Sequence, residues 1–347
     1  MKKKLLVVLA IVMVFAFAVT GCGQKDDADT PDVADAVTPD VADADTPDAA
    51  DADTPDALKV AMVLPGLKTD EAFNQYTYEG MIRAQEELGI ETAFREEVKQ
   101  DEQVEVIRQF AQQGYDIVIG QGGQFGEALQ TVAKEFPDTQ FVFSVATDTG
   151  GLPNLTAATV SYSHAGYIAG IMAAYTTTTN KVAMVLGEWY DPHRQMEASF
   201  KKAIASVNPD IEVTSVTTGS WSDVNKAREA SLALVADGYD VLFPVLDAAF
   251  VGVLAAAEDS EDVSVVGAVV DMSEIAPDVT VGSVVFNWDE LGYQEAAGML
   301  VDGESHILGM TEGGILPVIN DKLSAEGKAA TEAAIEDLKA GNIDIQP

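Results

Sequence analysis

From Leu58 onward, short aliphatic and β-branched runs alternate with stretches whose apolar positions recur at helical spacing. The runs at 59–64, 115–119, 140–145, 181–186, 211–217, 239–245 and 264–270 read as strands, most of them nearly continuous in apolar residues, which fits burial on both faces. Between them, Phe73–Leu88 sets Met81, Ala84, Gln85 and Leu88 on one helical face, and 103–113 reads as a second helix. This βαβ rhythm predicts an α/β fold with parallel sheets covered by helices. The hexapeptide KVAMVL opens at Lys59 and again at Lys181, and GYD opens at Gly114 and Gly238, so the two motifs recur at offsets of 122 and 124 residues. Nearly equal offsets over two motifs predict two halves of similar topology, and 290 residues suit two α/β lobes.

The amino-terminal pattern is different. Lys2, Lys3 and Lys4 precede an uncharged run from Leu5 to Val19, which closes on Thr20 and Gly21. A basic start, an apolar middle and small residues at the end make 1–21 an export signal. The run is short for a membrane-spanning helix, which needs about 20 residues, although an uncleaved anchor stays open as an alternative. Val19-Thr20-Gly21-Cys22 resembles a bacterial lipobox, whose cysteine takes a diacylglycerol; the alternative is a free thiol beside an ordinary cleavage site. Cys22 is the only cysteine, so no intramolecular disulfide or thiolate metal site is expected. Residues 23–57 follow as an eight-residue repeat beginning at Thr30, Thr38, Thr46 and Thr54, with twelve Asp and one Lys. A tract so charged and so poor in large apolar residues predicts a disordered tether, with a reach on the order of 100 Å if extended.

Composition narrows the partners. The formal net charge of −37 repels phosphate backbones and anionic lipid, which argues against nucleic acid and against an electrostatic membrane contact. Any membrane attachment then falls to a lipid on Cys22, with the folded domain, 58–347, outside the cytoplasm.

Catalytic and metal constellations are missing from the sequence. His164, His193 and His306 are not at ligand spacing, and there is neither a Walker loop nor a G-x-S-x-G elbow, so neither an enzyme, a cofactor nor a metal is expected. The glycine run 120–126 departs from the dinucleotide fingerprint, and its glycines are read as room for a ligand or a neighbouring strand. In open parallel sheets ligands bind beyond the carboxyl ends of the strands. The residues expected there are Phe73 and Asn74, then Gln121, Gly122 and Asp148 in the first half. In the second half they are Trp189, Trp221, Asp247, Asp271 and Phe286, with Trp288 close behind. Flat rings beside Asp, Asn and Gln predict a site for a planar or ring-shaped polar solute; packing of the same rings at a lobe interface is the plainer alternative.

The stretch TDEAFNQYTYEG, residues 69–80, resembles the D-x-x-F-N entry helix of the basic membrane protein family, lipoproteins that serve as solute receptors of ABC importers. YDIVIGQGGQFGEALQTVAKEFPDTQFVF, HAGYIAGIMAA, RQMEASFKKAIASVNPDIEV and GSWSDVNKAREASLALVADGYDVLF extend the resemblance over most of 58–300. It implies a type I periplasmic-binding-protein fold, two Rossmann-like lobes joined by a hinge with three crossovers. Lobe I is expected at about 58–176 with a segment near 288–310, and lobe II at about 180–286 with the C-terminal segment. The resemblance further implies an ABC permease as partner and a purine nucleoside or nucleobase as ligand. Phe73 and Asn74 then sit at the base contacts, Asp148 at the base edge and Asp271 at the ribose position. Phe286 stands about where the family often has a ribose-binding lysine, which withdraws a cationic donor and leaves a free purine or another cyclic solute compatible. A simple-sugar receptor and a ligand-sensing surface lipoprotein without transport are the alternatives.

Overall fold

The structure is a computed structural model that describes residues 57–345 apart from Glu71; the export signal, Cys22 and almost all of the tether lie outside the described residues. Numbered in chain order, the first sheet contains β1 (Lys59–Val63), β2 (Glu91–Arg95), β3 (Ile117–Gln121), β4 (Gln140–Ser144), β5 (Leu155–Val160) and β11 (Ser305–Leu308). The second contains β6 (Lys181–Leu186), β7 (Glu212–Thr217), β8 (Val241–Val245), β9 (Ser264–Val269), β10 (Thr280–Phe286) and β12 (Ile315–Ile319). Helices are α1 (Phe73–Leu88), α2 (Gln103–Gln112), α3 (Gly126–Glu135), α4 (Tyr162–Ala174), α5 (Asp191–Val207), α6 (Val224–Ala236), α7 (Phe250–Glu258), α8 (Trp288–Ala296) and α9 (Ala325–Lys339).

The strand orders are β11-β5-β4-β3-β1-β2 and β12-β10-β9-β8-β6-β7. They match position for position, so the two KVAMVL segments are the equivalent strands β1 and β6. All pairings are parallel except β10 with β12. Burial on both faces explains the apolar runs: Val60 to Leu64 and Val182 to Leu186 are inaccessible to solvent.

The GYD repeat also has a physical basis. Strands expected to begin at 115 and 239 begin at Ile117 and Val241, because Tyr and Asp form the turn from helix to strand. The Asp116 carboxylate accepts the Lys59 amide at 2.8 Å and so fixes the start of β1. Asp240 does the same ahead of β6, accepting from the Thr178 amide at 2.6 Å and the Thr179 amide at 2.9 Å. Both hydroxyls of Thr177 and Thr178 also donate to it, and this group of donors holds the Asp240 carboxyl below the usual range despite its burial.

The two halves exchange helices. The chain leaves the first sheet at Ser161, ahead of the boundary expected near 176, and α4 packs on α5. It leaves the second sheet at Asn287, and α8 packs on α1. Small residues allow both approaches: a Cβ at Gly166 would lie 2.2 Å from the Met196 carbonyl, and one at Gly80 only 2.1 Å from the Asp289 carbonyl. Arg83 of α1 donates to Asp289 at 2.8 Å and to Glu290 at 3.0 Å on α8, adding a half-exposed ion pair to the close contact. A third passage runs from β11 to β12. Among the described residues no helix is long and apolar enough to cross a membrane.

One buried charge site is unusual. Glu295 of α8 is inaccessible to solvent, and the Ser144 hydroxyl beside its carboxyl is too poorly placed for a well-formed hydrogen bond. Burial pushes its carboxyl up to about 8, so it is mostly protonated at neutral pH. The folded chain thus holds this proton more tightly than the unfolded chain. The associated stability is complete below about 4.5 and is lost as pH rises through about 8. Glu295→Gln is expected to match the parent in stability at pH 5 and to exceed it by on the order of 3 kcal/mol at pH 9. Chemical denaturation at both pH values measures this; the same difference at each would contradict a neutral buried Glu295.

Candidate functional site

Because all strands except β12 run parallel within their sheets, their carboxyl ends fall along one edge. The loops leaving those edges in the two sheets line a common cleft of about 500 Å3. The first half contributes residues after β1 through β4, the second half residues after β6 through β9, and Tyr162, Phe286 and Trp288 come from the passages between them.

The first wall is built by the D-x-x-F-N sequence. Asp70 accepts the amides of Ala72 at 3.1 Å, Asn74 at 3.1 Å and Gln75 at 3.0 Å, filling donors that the start of α1 would leave unpaired. The same carboxylate takes the Asn74 side-chain Nδ2 at 2.7 Å. With its nitrogen so committed, buried Asn74 has Oδ1 left as an unpartnered acceptor at the cleft. Phe73 packs edge-on against Trp288, ring centres 5.1 Å apart, and Trp288 meets Phe286 at 5.5 Å. The Trp288 ring is buried and its Nε1, which can only donate, has no partner.

The second wall comes from the other half. Tyr190 and Trp221 are stacked with ring centres 6.2 Å apart and 14° between planes, and His193 lies 5.1 Å from Trp221. The indole rests on Gly187, the first residue after β6, where a Cβ would stand 2.5 Å from a ring carbon. Burial pushes the His193 imidazole down to about 4, leaving it neutral, and its Nδ1 is unpartnered. Tyr162 joins the walls, 5.3 Å from His193 and 5.0 Å from Phe286, and burial raises its phenol well above the ordinary range.

Asp247 follows β8, is partly buried and lines the cleft. Burial, and secondarily the charge of Asp70 on the opposite half, push its carboxyl up to about 7. Glu97 stands exposed at the rim, and no Lys or Arg lines the cleft. Two β-branched residues bring their strands into it with positive φ, Val145 at 63° just past β4 and Val269 at 70° ending β9. Those are matching positions in the two sheets, and backbone of this kind costs about 1–3 kcal/mol at each.

Of the residues expected from sequence, Phe73, Asn74, Gly122, Trp221, Asp247 and Phe286 line this cleft. Four do not, each for a local reason. The Gln121 side chain is buried and donates Nε2 to Thr77 Oγ1 at 2.6 Å. Asp148 lies on an exposed loop, accepting the Gly150 amide at 2.8 Å. Trp189 packs on the core beneath Arg194, whose guanidinium lies 5.3 Å from the ring centre. Asp271 caps a 3-10 turn and accepts from Ser273 Oγ at 2.6 Å and Ser283 Oγ at 3.1 Å. The expectation missed Tyr162 and His193 as lining residues, whereas Asp70 and Tyr190 fall in the stretches that follow β1 and β6 without being among the named candidates. Each stands just past a strand or at a helix start, a position that marked the other candidates equally well. Among the described residues no group of three or more His, Cys, Asp or Glu is placed to hold a metal.

Comparison with known proteins places this geometry. A solute-binding protein of an ABC transporter system from Aeropyrum pernix K1 superposes with a TM-score of 0.74 at 18% identity, over 83% of this chain and 92% of that one. The fold is therefore that of the type I periplasmic binding proteins. The chain is similar to the transcriptional activator protein med of Bacillus subtilis, 27% identical over 67% of this chain and 72% of the relative. It is equally similar, at 27% identity over 74% of this chain and 69% of the relative, to the ABC transporter nucleoside-binding protein BmpA of Lactococcus lactis. The model of the Bmp family, the PnrA-like ABC transporter substrate-binding proteins, matches residues 57–342, and the chain belongs to that family.

Proposed function

We propose that the protein is the extracytoplasmic receptor of an ABC importer, capturing a small planar polar solute between its two halves. A purine nucleobase or a related heterocycle is the leading candidate. The observation that carries this reading is the cleft itself, in which Phe73, Tyr162, Tyr190, Trp221, Phe286 and Trp288 surround unpartnered polar atoms of Asn74, His193 and Trp288. Rings provide flat apolar area, and a few convergent polar groups orient what lies between them. The nucleoside-binding relative supports the same class of solute.

Ribose recognition has less support. Phe286 presents a ring where a cationic donor was expected, and Asp271 is occupied by Ser273 and Ser283 outside the cleft lining. On this reading the base is recognised and the sugar is tolerated at most.

The halves close by bending at the passages near Ser161, Asn287 and the β11–β12 connection, and the closed form is what a permease would engage. Cys22 is the proposed lipid attachment, with the Asp-rich repeats as the leash; mass spectrometry of the mature amino terminus should find a diacylglycerol-modified Cys22. An unmodified cysteine at that terminus overturns the anchor.

Ligand binding stabilises the folded state by about 2.7 kcal/mol at about 100 times Kd, which for a domain of this size raises Tm by about 5 °C. A thermal-shift screen of adenine, guanine, adenosine, inosine, glucose and galactose is expected to respond to heterocycles. Shifts with the sugars alone would contradict the proposal. Trp221→Ala and Gly187→Ala should each weaken binding at least tenfold in calorimetry, the first by removing the ring and the second by displacing it. Normal affinity in both variants removes Trp221 from the site.

A further inference from the structure

The polar groups of the cleft have a sign. Asn74 is restricted to accepting, because its Nδ2 is bound to Asp70 at 2.7 Å and its Oδ1 is the unpartnered atom. Asp247 accepts when ionised, and its carboxyl has no hydrogen bond to any described residue, whereas Asp70 is occupied by the start of α1. Trp288 Nε1 is a fixed donor, and the His193 imidazole is neutral. No lysine or arginine faces the cleft, and its charged lining residues, Asp70, Glu97 and Asp247, are all acidic. Six aromatic side chains line the same space, and the face of an aromatic ring attracts cations and repels anions. The charge of the whole chain, −37, adds to the same field.

Resting on the proposed reading of this cleft as the solute site, we infer that the preferred solute is a planar cation, an aromatic or heteroaromatic ring bearing a protonated amino or amidinium group. Its ring lies between the aromatic walls, its N–H groups point to Asn74 Oδ1, and its charge faces the Asp247 carboxylate. The pairing has an energetic logic. Asp247 is held near the midpoint of its titration by burial and by Asp70, so a cation beside it draws the carboxyl toward the ionised form and gains a charge-assisted hydrogen bond. The cation also relieves repulsion between Asp70 on one half and Asp247 on the other. A phosphorylated or carboxylated ring meets three acidic residues and no counter-charge.

Three isosteric probes separate charge from shape: benzamidine, a cation; benzamide, neutral; and benzoate, an anion. Isothermal titration of the folded domain at pH 7.5 and low salt is expected to give benzamidine at least tenfold higher affinity than benzamide, and no measurable binding of benzoate. Asp247→Asn, which keeps the side-chain shape, should bring benzamidine to within about twofold of benzamide. Glu229→Gln, on the exposed side of α6 and outside the cleft lining, should change either affinity less than twofold. A melting curve without ligand establishes that both variants are folded, and Asp247→Glu should retain the preference if Asn is not. Benzoate binding as tightly as benzamidine, or an undiminished benzamidine preference in Asp247→Asn, overturns the inference. If neutral purines bind while benzamidine shows no advantage over benzamide, the charge inference fails and the proposed receptor function stands. If neither probes nor purines bind, both fail.

Discussion

The cleft exists because each half is a parallel sheet whose chain is exchanged with the other half. A parallel sheet collects the carboxyl ends of its strands at one edge, with their loops and the first turns of the following helices. By sending α4 onto α5 and α8 onto α1, the chain places those two edges opposite each other and runs the connecting segments, with Tyr162, Phe286 and Trp288, through the space between them. The close contacts at Gly80 and Gly166 are therefore remote requirements of the site: a side chain there would push apart the helices that bring the two edges together.

Within that frame, local chemistry does the positioning. Asp70 illustrates it, since one carboxylate both terminates α1 and fixes the direction of the Asn74 amide. Gly187 does the same by subtraction, leaving a flat bed for the Trp221 ring. The strained Val145 and Val269 stand at matching positions at the edge of each sheet, a sign that the two halves solve the same problem of turning the chain into the cleft. Strain persists only where surrounding structure over-determines it, and both residues lie between a buried sheet and the cleft.

The fold was largely legible in the sequence because burial on both faces leaves a plain mark: continuous apolar runs, repeated as KVAMVL. The duplicated GYD was visible as a repeat, but its cause, an aspartate that holds the start of a neighbouring strand, needed the pairing of β3 with β1 and of β8 with β6. The site was partly legible. Strand-end position located Trp221, Asp247 and Asn74, yet the same rule included Asp148, Trp189 and Asp271, whose side chains are committed to a loop, the core and a 3-10 turn. Position along a strand specifies which loop a residue occupies, whereas the direction of its side chain depends on hydrogen bonds and packing that join residues far apart in sequence. His193 shows the converse, because nothing in its flanking residues marks it as the ring that joins Tyr162 to Trp221.

A planar solute is proposed to lie between walls contributed by both halves. The most direct measurement is a crystal structure of the domain with its bound heterocycle. The ring should contact Trp221 on one side and the Phe73–Trp288 pair on the other, with an N–H donated to Asn74 Oδ1. A solute bound to one half alone, or outside the carboxyl edges of the sheets, would contradict it.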